Sequence, residues 1–146
     1  MKIQILFLHK ADWLGRLIQK LSNGNMTHCG IVINDLCLVD TNFGRDFGVR
    51  FIPWNSCDYE LITLNLRHVQ YEEAIDWIRE HEGIPYDNWN NVWWLLGKKS
   101  NGVAKLNCTE SVVEFLCDIS FLNKIYLEMN LSPSELYEIL KSKSSQ

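Results

Sequence analysis

Hydrophobic and polar positions change period several times along the chain, and each change marks an element. Ile3 to Leu8 is a short apolar run suited to a buried strand. From Asp12 to Leu21 the spacing turns helical, with Trp13, Leu14, Leu17, Ile18 and Leu21 on one face and Gly24 offering a left-handed stop. At His28 the period drops to two: His28, Gly30 and Val32 alternate with Cys29, Ile31 and Ile33. Asn34-Asp35 then supplies turn chemistry before Leu36 to Asp40, which predicts an antiparallel hairpin.

Asn42 to Gly48 is polar and contains glycine, so it reads as a loop. Val49 to Ile52 reads as a strand ending at Pro53, and Tyr59 to Leu66 as another. Tyr71 to Glu82 is helical, with Ala74, Ile75 and Ile78 inward, Gly83 as the stop and Pro85 beyond it. Tyr86 to Leu96 reads as a loop feeding a short helix that ends at Gly97. A polar stretch, Lys98 to Lys105, precedes a helix from Cys108 that buries Val112, Phe115, Leu116 and Ile119. Ser132-Pro133-Ser134-Glu135 has the form of a capping box with Pro at the first helical position, introducing Leu136 to Leu140. The order is strand, helix, four strands, then helices, which is an α+β arrangement with a small, mostly antiparallel sheet and helices packed on one face.

Composition narrows the function. With 146 residues, 47% of them hydrophobic and six Trp, the chain can bury its own core, and residues 1–146 are expected to form one domain. A net charge of −4 and scattered Lys and Arg give no basic stripe, which argues against a nucleic-acid partner. The apolar start is short and lacks a small-residue cleavage site, so it reads as a strand rather than a signal peptide. No stretch has the length of a membrane-spanning helix. Five cysteines, Cys29, Cys37, Cys57, Cys108 and Cys117, are odd in number and irregular in spacing, which fits a reducing compartment and a cytoplasmic location. None forms a C-x-x-C pair, so no metal or other cofactor is expected; a site from His28, Cys29 and Asp40 is the weak metal alternative.

One thiol differs from the rest by its place. Cys108 follows Asn107, a favoured N-cap, and so occupies a first helical turn, where unpaired amides and the helix dipole favour negative charge. A thiolate there is more acidic than a free side chain, and a nearby imidazolium lowers its pKa further. Its own backbone amide is placed to hold an oxyanion. Among the four histidines His28 stands out, because it opens a very apolar strand and has Asp40 twelve residues on. Twelve is even, so across a tight hairpin the two side chains share a sheet face and lie opposite each other. A carboxylate bound to one imidazole nitrogen fixes the tautomer and turns the other nitrogen toward the thiol. Cys29, Cys37, Cys57 and Cys117 read as structural, Glu110 as a carboxylate compensating the helix dipole, and Tyr86 and Asn107 as candidates for substrate or oxyanion contact. Trp89, Trp93 and Trp94 read as core or as the wall of an apolar cleft.

Thr27-His28-Cys29-Gly30-Ile31-Val32, a polar residue one strand later at Asp40, and Cys108-Thr109-Glu110 opening a helix together resemble the circularly permuted NlpC-like members of the papain superfamily. That group includes YiiX-like bacterial proteins and the lecithin:retinol acyltransferase relatives. Phe47-Gly48-Val49-Arg50, Gly83-Ile84-Pro85-Tyr86-Asp87 and Leu131-Ser132-Pro133-Ser134-Glu135-Leu136 are similar to phage and bacterial members, so the resemblance spans most of the chain. It departs in Asp40, where His, Glu or Gln is frequent, and in Cys29 beside the base. The resemblance implies a permuted papain-like fold and a cysteine peptidase or amidase working through an acyl-enzyme, with Cys108 as nucleophile, His28 as base and Asp40 as its orienter. It implies peptide or amide substrates, with cell-wall peptides as one class, and a phage-encoded or virion-associated setting. The alternatives are an acyltransferase or lipid-amide hydrolase of the same fold, and a catalytically silent interaction domain.

Overall fold

The computed structural model describes residues 1–42, 44–85 and 107–144. Its strands are β1 (Lys2–Leu8), β2 (His28–Ile33), β3 (Cys37–Asn42), β4 (Arg45–Phe51) and β5 (Tyr59–Asn65). Its helices are α1 (Trp13–Ser22), α2 (His68–His81), α3 (Cys108–Asp118) and α4 (Pro133–Ser144). The strands form one antiparallel sheet in the order β4-β3-β2-β1-β5. The molecule is therefore α+β, as the change of period predicts.

Alternation along the strands divides the side chains between two faces. Ile3, Ile5 and Phe7 of β1 and Cys29, Ile31 and Ile33 of β2 lie on the face that carries the main core, with Val112, Phe115 and Leu116 of α3 and Leu136 and Leu140 of α4 packed against it. Leu6, Leu8, Val32 and Leu38 point the other way and are covered by Ile52, Trp54 and Tyr59. His28 and Asp40 belong to this second face by the same alternation.

The β2–β3 hairpin turns through residues 34–36, with Asn34 and Asp35 both at positive φ (56° and 59°), backbone that Asn and Asp tolerate. The polar stretch from Arg45 belongs to a strand, not to a loop: β4 pairs with β3 from Asn42↔Arg45 to Cys37↔Phe51. Its polar residues are tolerated because Arg45 and Asp46 lie exposed.

Two helix expectations need correction. In α1 the apolar stripe is largely uncovered among its described side chains: Trp13 is 78% exposed, Leu17 and Leu21 are also exposed, and Ile18 is half-buried. The face toward the sheet is instead that of Gly15, where a side chain would lie 3.1 Å from Thr27. The left-handed stop is Asn23 at φ 50°, not Gly24. Gly24 is needed for space, since a Cβ there would stand 2.2 Å from the Ser134 hydroxyl. In α2 the inward residues are Ala74, Ile78 and Trp77, with Ile75 only half-buried. Trp77 is central because its indole N–H donates to Asp118 (3.0 Å) at the end of α3 while its ring meets Phe47 and Phe115 edge-on. Gly83, at φ 85°, follows the end of α2, but the helix already breaks at Glu82 (ψ 130°), and the Gly83 N–H donates to the Phe47 carbonyl (2.8 Å) rather than back to the helix. The Ser132–Glu135 cap of α4 also forms: Ser132 N–H donates to the Glu135 carboxylate (2.7 Å) and Glu135 N–H to the Ser132 hydroxyl (3.3 Å).

Candidate active site

Four hydrogen bonds set the start of β2 in place. Thr27 donates its hydroxyl to the carbonyls of Leu8 (3.1 Å) and Lys10 (3.0 Å) and its amide to Leu8 (2.7 Å), and Met26 N–H donates to the Ser134 hydroxyl (2.9 Å). His28 therefore leaves a fixed backbone at the end of the sheet. There α3 begins, with Asn107 Oδ1 accepting from Glu110 N–H (2.8 Å) and Glu110 accepting in return from Asn107 N–H (3.1 Å). This reciprocal cap places Cys108 at the first helical position and leaves its own amide with no intrahelical acceptor.

His28 Nε2 lies 2.5 Å from Asp40 Oδ2. The pair shares a face, but it is diagonal rather than opposite. The ladder runs Ile31↔Val39, Val32↔Leu38, Ile33↔Cys37, and its continuation puts Gly30, not His28, across from Asp40. On the other side Asp40 pairs with Gly48 of β4. The carboxylate thus sits between two glycines, and longer side chains reach it obliquely from both flanks: His28 from β2 and Arg50 from β4. Arg50 Nε donates to Asp40 Oδ1 (2.8 Å) and its Nη2 to Oδ2, a two-pronged clamp of the kind guanidinium geometry favours. Gly30 has no room for more, because a Cβ would meet Leu38 Cδ1 at 2.7 Å and Asp40 Cβ at 2.9 Å. Trp54 closes the outer side, its ring 5.7 Å from that of His28 and 5.1 Å from the Arg50 guanidinium carbon.

With Nε2 committed to Asp40, Nδ1 is the nitrogen left to face Cys108, whose charge acts on the imidazole. Burial alone would push the His28 pKa down. The Cys108 thiolate and the Asp40 carboxylate overcome it and raise the imidazole to about 9. Burial would likewise raise Asp40, but hydrogen bonds from His28 and Arg50 hold it at about 2. Cys108 is held well below the ordinary thiol value by a hydrogen bond from the Cys29 thiol, against burial, and by the charge and hydrogen bond of His28. Cys29, fully buried beside that thiolate, is driven well above the ordinary value, first by burial. The state favoured near neutral pH is a thiolate, an imidazolium, a carboxylate and a guanidinium, two charges of each sign.

A cavity of about 390 Å³ opens on this group. Cys108, His28 and Asn107 stand in its wall with Trp54, and Leu17, Ile18, Leu131 and Pro133 make the rest largely apolar. Among the sequence candidates, Cys108, His28 and Asp40 are brought together, and Asn107 lines the cavity while capping α3. Tyr86, Trp89, Trp93 and Trp94 lie outside the described residues. Glu110 completes the cap, in keeping with its helix-terminal reading.

Sequence reasoning missed Arg50, Trp54 and the role of Cys29. For Arg50 a signal existed: His-x-Gly in β2 and Gly-x-Arg in β4 are the spacings that aim two long side chains at one residue between glycines. Among the described residues no group of three or more potential ligands could hold a metal, and no helix is long and apolar enough to cross a membrane. No protein-family model matches the chain, and no curated protein matches it either.

Proposed function

We propose that the chain is a cysteine hydrolase of the peptidase or amidase kind, with a permuted papain-like arrangement of nucleophile and base. The observation that carries this reading is the imidazole of His28, bound to the Asp40 carboxylate, in the wall of the same cavity as Cys108, which opens a helix there. The thiolate attacks a substrate carbonyl, and the oxyanion that develops faces the first amides of α3, where the helix dipole stabilises it. His28, protonated through its contact with the thiolate, hands its Nδ1 proton to the leaving amine. The resulting acyl-enzyme is opened by water, from which His28 takes a proton. Asp40 keeps the imidazole oriented through both steps, and Arg50 keeps Asp40 ionised.

Cell-wall peptides are the proposed substrate class for the hydrolase. The apolar cavity walls, Leu17, Ile18, Leu131 and Pro133, favour a second reading in which the acyl group is a hydrocarbon chain and the acceptor an amine or alcohol. Peptide and lipid amides offered side by side separate the two readings by which one yields a Cys108 acyl adduct in the mass spectrum.

Alkylation by iodoacetamide at mildly acidic pH tests the shared step. Cys108 is expected to react well ahead of the other four cysteines, and Cys108→Ala and His28→Ala are each expected to abolish turnover while the fold persists. Equal reaction of all five cysteines, or hydrolysis that survives Cys108→Ala, would overturn the mechanism.

A further inference from the structure

Cys29 has no part in the hydrolytic steps above, yet its thiol is built into the site. Its sulfur lies 3.4 Å from the Cys108 carbonyl oxygen and 4.0 Å from the Thr109 hydroxyl, and the Cys108 sulfur lies 3.9 Å from that same hydroxyl. Both sulfurs thus stand within 4.0 Å of the Thr109 hydroxyl, and the Cys29 thiol lies against the backbone of Cys108 itself. Cys29 is completely buried, whereas Cys108 is half-exposed at the cavity wall. A reagent entering the cavity therefore meets Cys108 first and reaches Cys29 only through it. The remaining thiols lie elsewhere: Cys37 opens β3, Cys57 is exposed beyond β4, and Cys117 bonds the Asn123 carbonyl (3.4 Å) near the far end of α3.

We propose that Cys29 is a resolving thiol: a hydroperoxide oxidises the Cys108 thiolate to a sulfenic acid, and Cys29 condenses with it to a Cys29–Cys108 disulfide. This rests on Cys108 being the thiolate of the reading above. In the first step the thiolate sulfur donates an electron pair to the terminal peroxide oxygen. An S–O bond forms, the O–O bond breaks, and the departing alkoxide or hydroxide takes the His28 proton. In the second step the Cys29 sulfur attacks the sulfenic sulfur, an S–S bond replaces the S–O bond, and water leaves with the Cys29 proton. Two thiols and one hydroperoxide give one disulfide, one alcohol (water, for hydrogen peroxide) and one water.

The steps are self-consistent electrostatically. Burial first, and then the charge of the Cys108 thiolate, hold the neighbouring Cys29 protonated and inert. Conversion to a neutral sulfenic acid removes that charge, so Cys29 becomes a better nucleophile when it is needed. A disulfide then shields Cys108 from the irreversible sulfinic and sulfonic states and can be returned by a dithiol.

Reduced full-length protein treated with a small excess of hydrogen peroxide, then digested without reductant, tests the proposal. The expected product is a peptide pair linked through Cys29 and Cys108, with Cys108 alkylation lost and then restored by dithiothreitol. In Cys29→Ser and Cys29→Ala the same treatment is expected to carry Cys108 to sulfinic acid, which dithiothreitol does not reverse. If Cys108 oxidises in the wild type while Cys29 stays a free thiol, or links to another cysteine, the resolving role is refuted and the hydrolase reading stands. If Cys108 reacts with neither peroxide nor iodoacetamide, both fall together.

Discussion

The charge state of the Cys108–His28 pair makes a quantitative claim about stability against pH. His28 is raised from 6.5 to about 9 in the folded protein, so it contributes stability that is complete below 6.5 and lost as pH rises through about 9. Titrating alone it would remove about 3 kcal/mol across that interval, at roughly 1.4 kcal/mol per pKa unit. Cys108 has the opposite sign: it is depressed well below its ordinary 9.0, so its contribution is complete above 9 and lost as pH falls. Between 6.5 and 9 the two slopes cancel, because folding moves a proton from thiol to imidazole without changing the number bound. Urea denaturation at pH steps through this window is expected to give a flat stability for the wild type. In Cys108→Ala the compensation is gone, and stability is expected to fall with rising pH, by at most about 3 kcal/mol since the thiolate that helps raise His28 is also removed. A wild-type protein that loses stability over this window as the variant does would show Cys108 protonated in the native state and refute the ion pair.

Asp40→Asn replaces the charge that orients His28 while keeping the shape; the rate of Cys108 alkylation at pH 6 is expected to drop about tenfold or more, and an unchanged rate in the folded variant would remove Asp40 from the relay. Gly30→Ala forces a Cβ to within 2.9 Å of Asp40 Cβ and 3.1 Å of the Val39 carbonyl, an overpacking expected to cost about 1–3 kcal/mol in urea. Gly48→Ala, facing open space on the other flank of Asp40, serves as its control and is expected to cost clearly less. Asp40 itself, held at about 2 against an ordinary 3.8, contributes stability that is present above 3.8 and is lost as pH falls toward 2, about 2 kcal/mol. Acid unfolding of Asp40→Asn is therefore expected to be shallower than that of the wild type over this range.

Local pattern carried much of this architecture. Alternation from His28 to Ile33 defines β2 because one face must be apolar wherever a helix covers it, and Asn107-Cys108-Thr109-Glu110 announces its own cap because the bonds that form it are made within four residues. What escaped was everything that depends on the identity of a neighbour. Periodicity shows that Trp13, Leu17 and Leu21 share a stripe but not whether anything covers it, and among the described residues it remains exposed. The even offset of His28 and Asp40 fixes their common face, whereas their diagonal relation follows from where the Asn34-Asp35 turn sets the register. Arg50 was hidden for the same reason, its partner lying one strand away. Alternation assigns Cys29 to the core face, and only the docking of α3 brings that face beside Cys108.

The cluster around Cys108 is assembled from two parts of very different range. His28, Asp40 and Arg50 come from consecutive strands joined by short turns, within 23 residues of one another in sequence. Cys108 joins them from 80 residues beyond His28. Contacts of short sequence separation form early in folding, while distant ones wait on loop closure. On a chain still leaving the ribosome, His28, Asp40 and Arg50 emerge well before Cys108 has been synthesised. The order of the elements therefore sets an order of assembly: a nascent chain carries the His28–Asp40–Arg50 cluster before it carries Cys108, and the two meet only when α3 docks on the sheet.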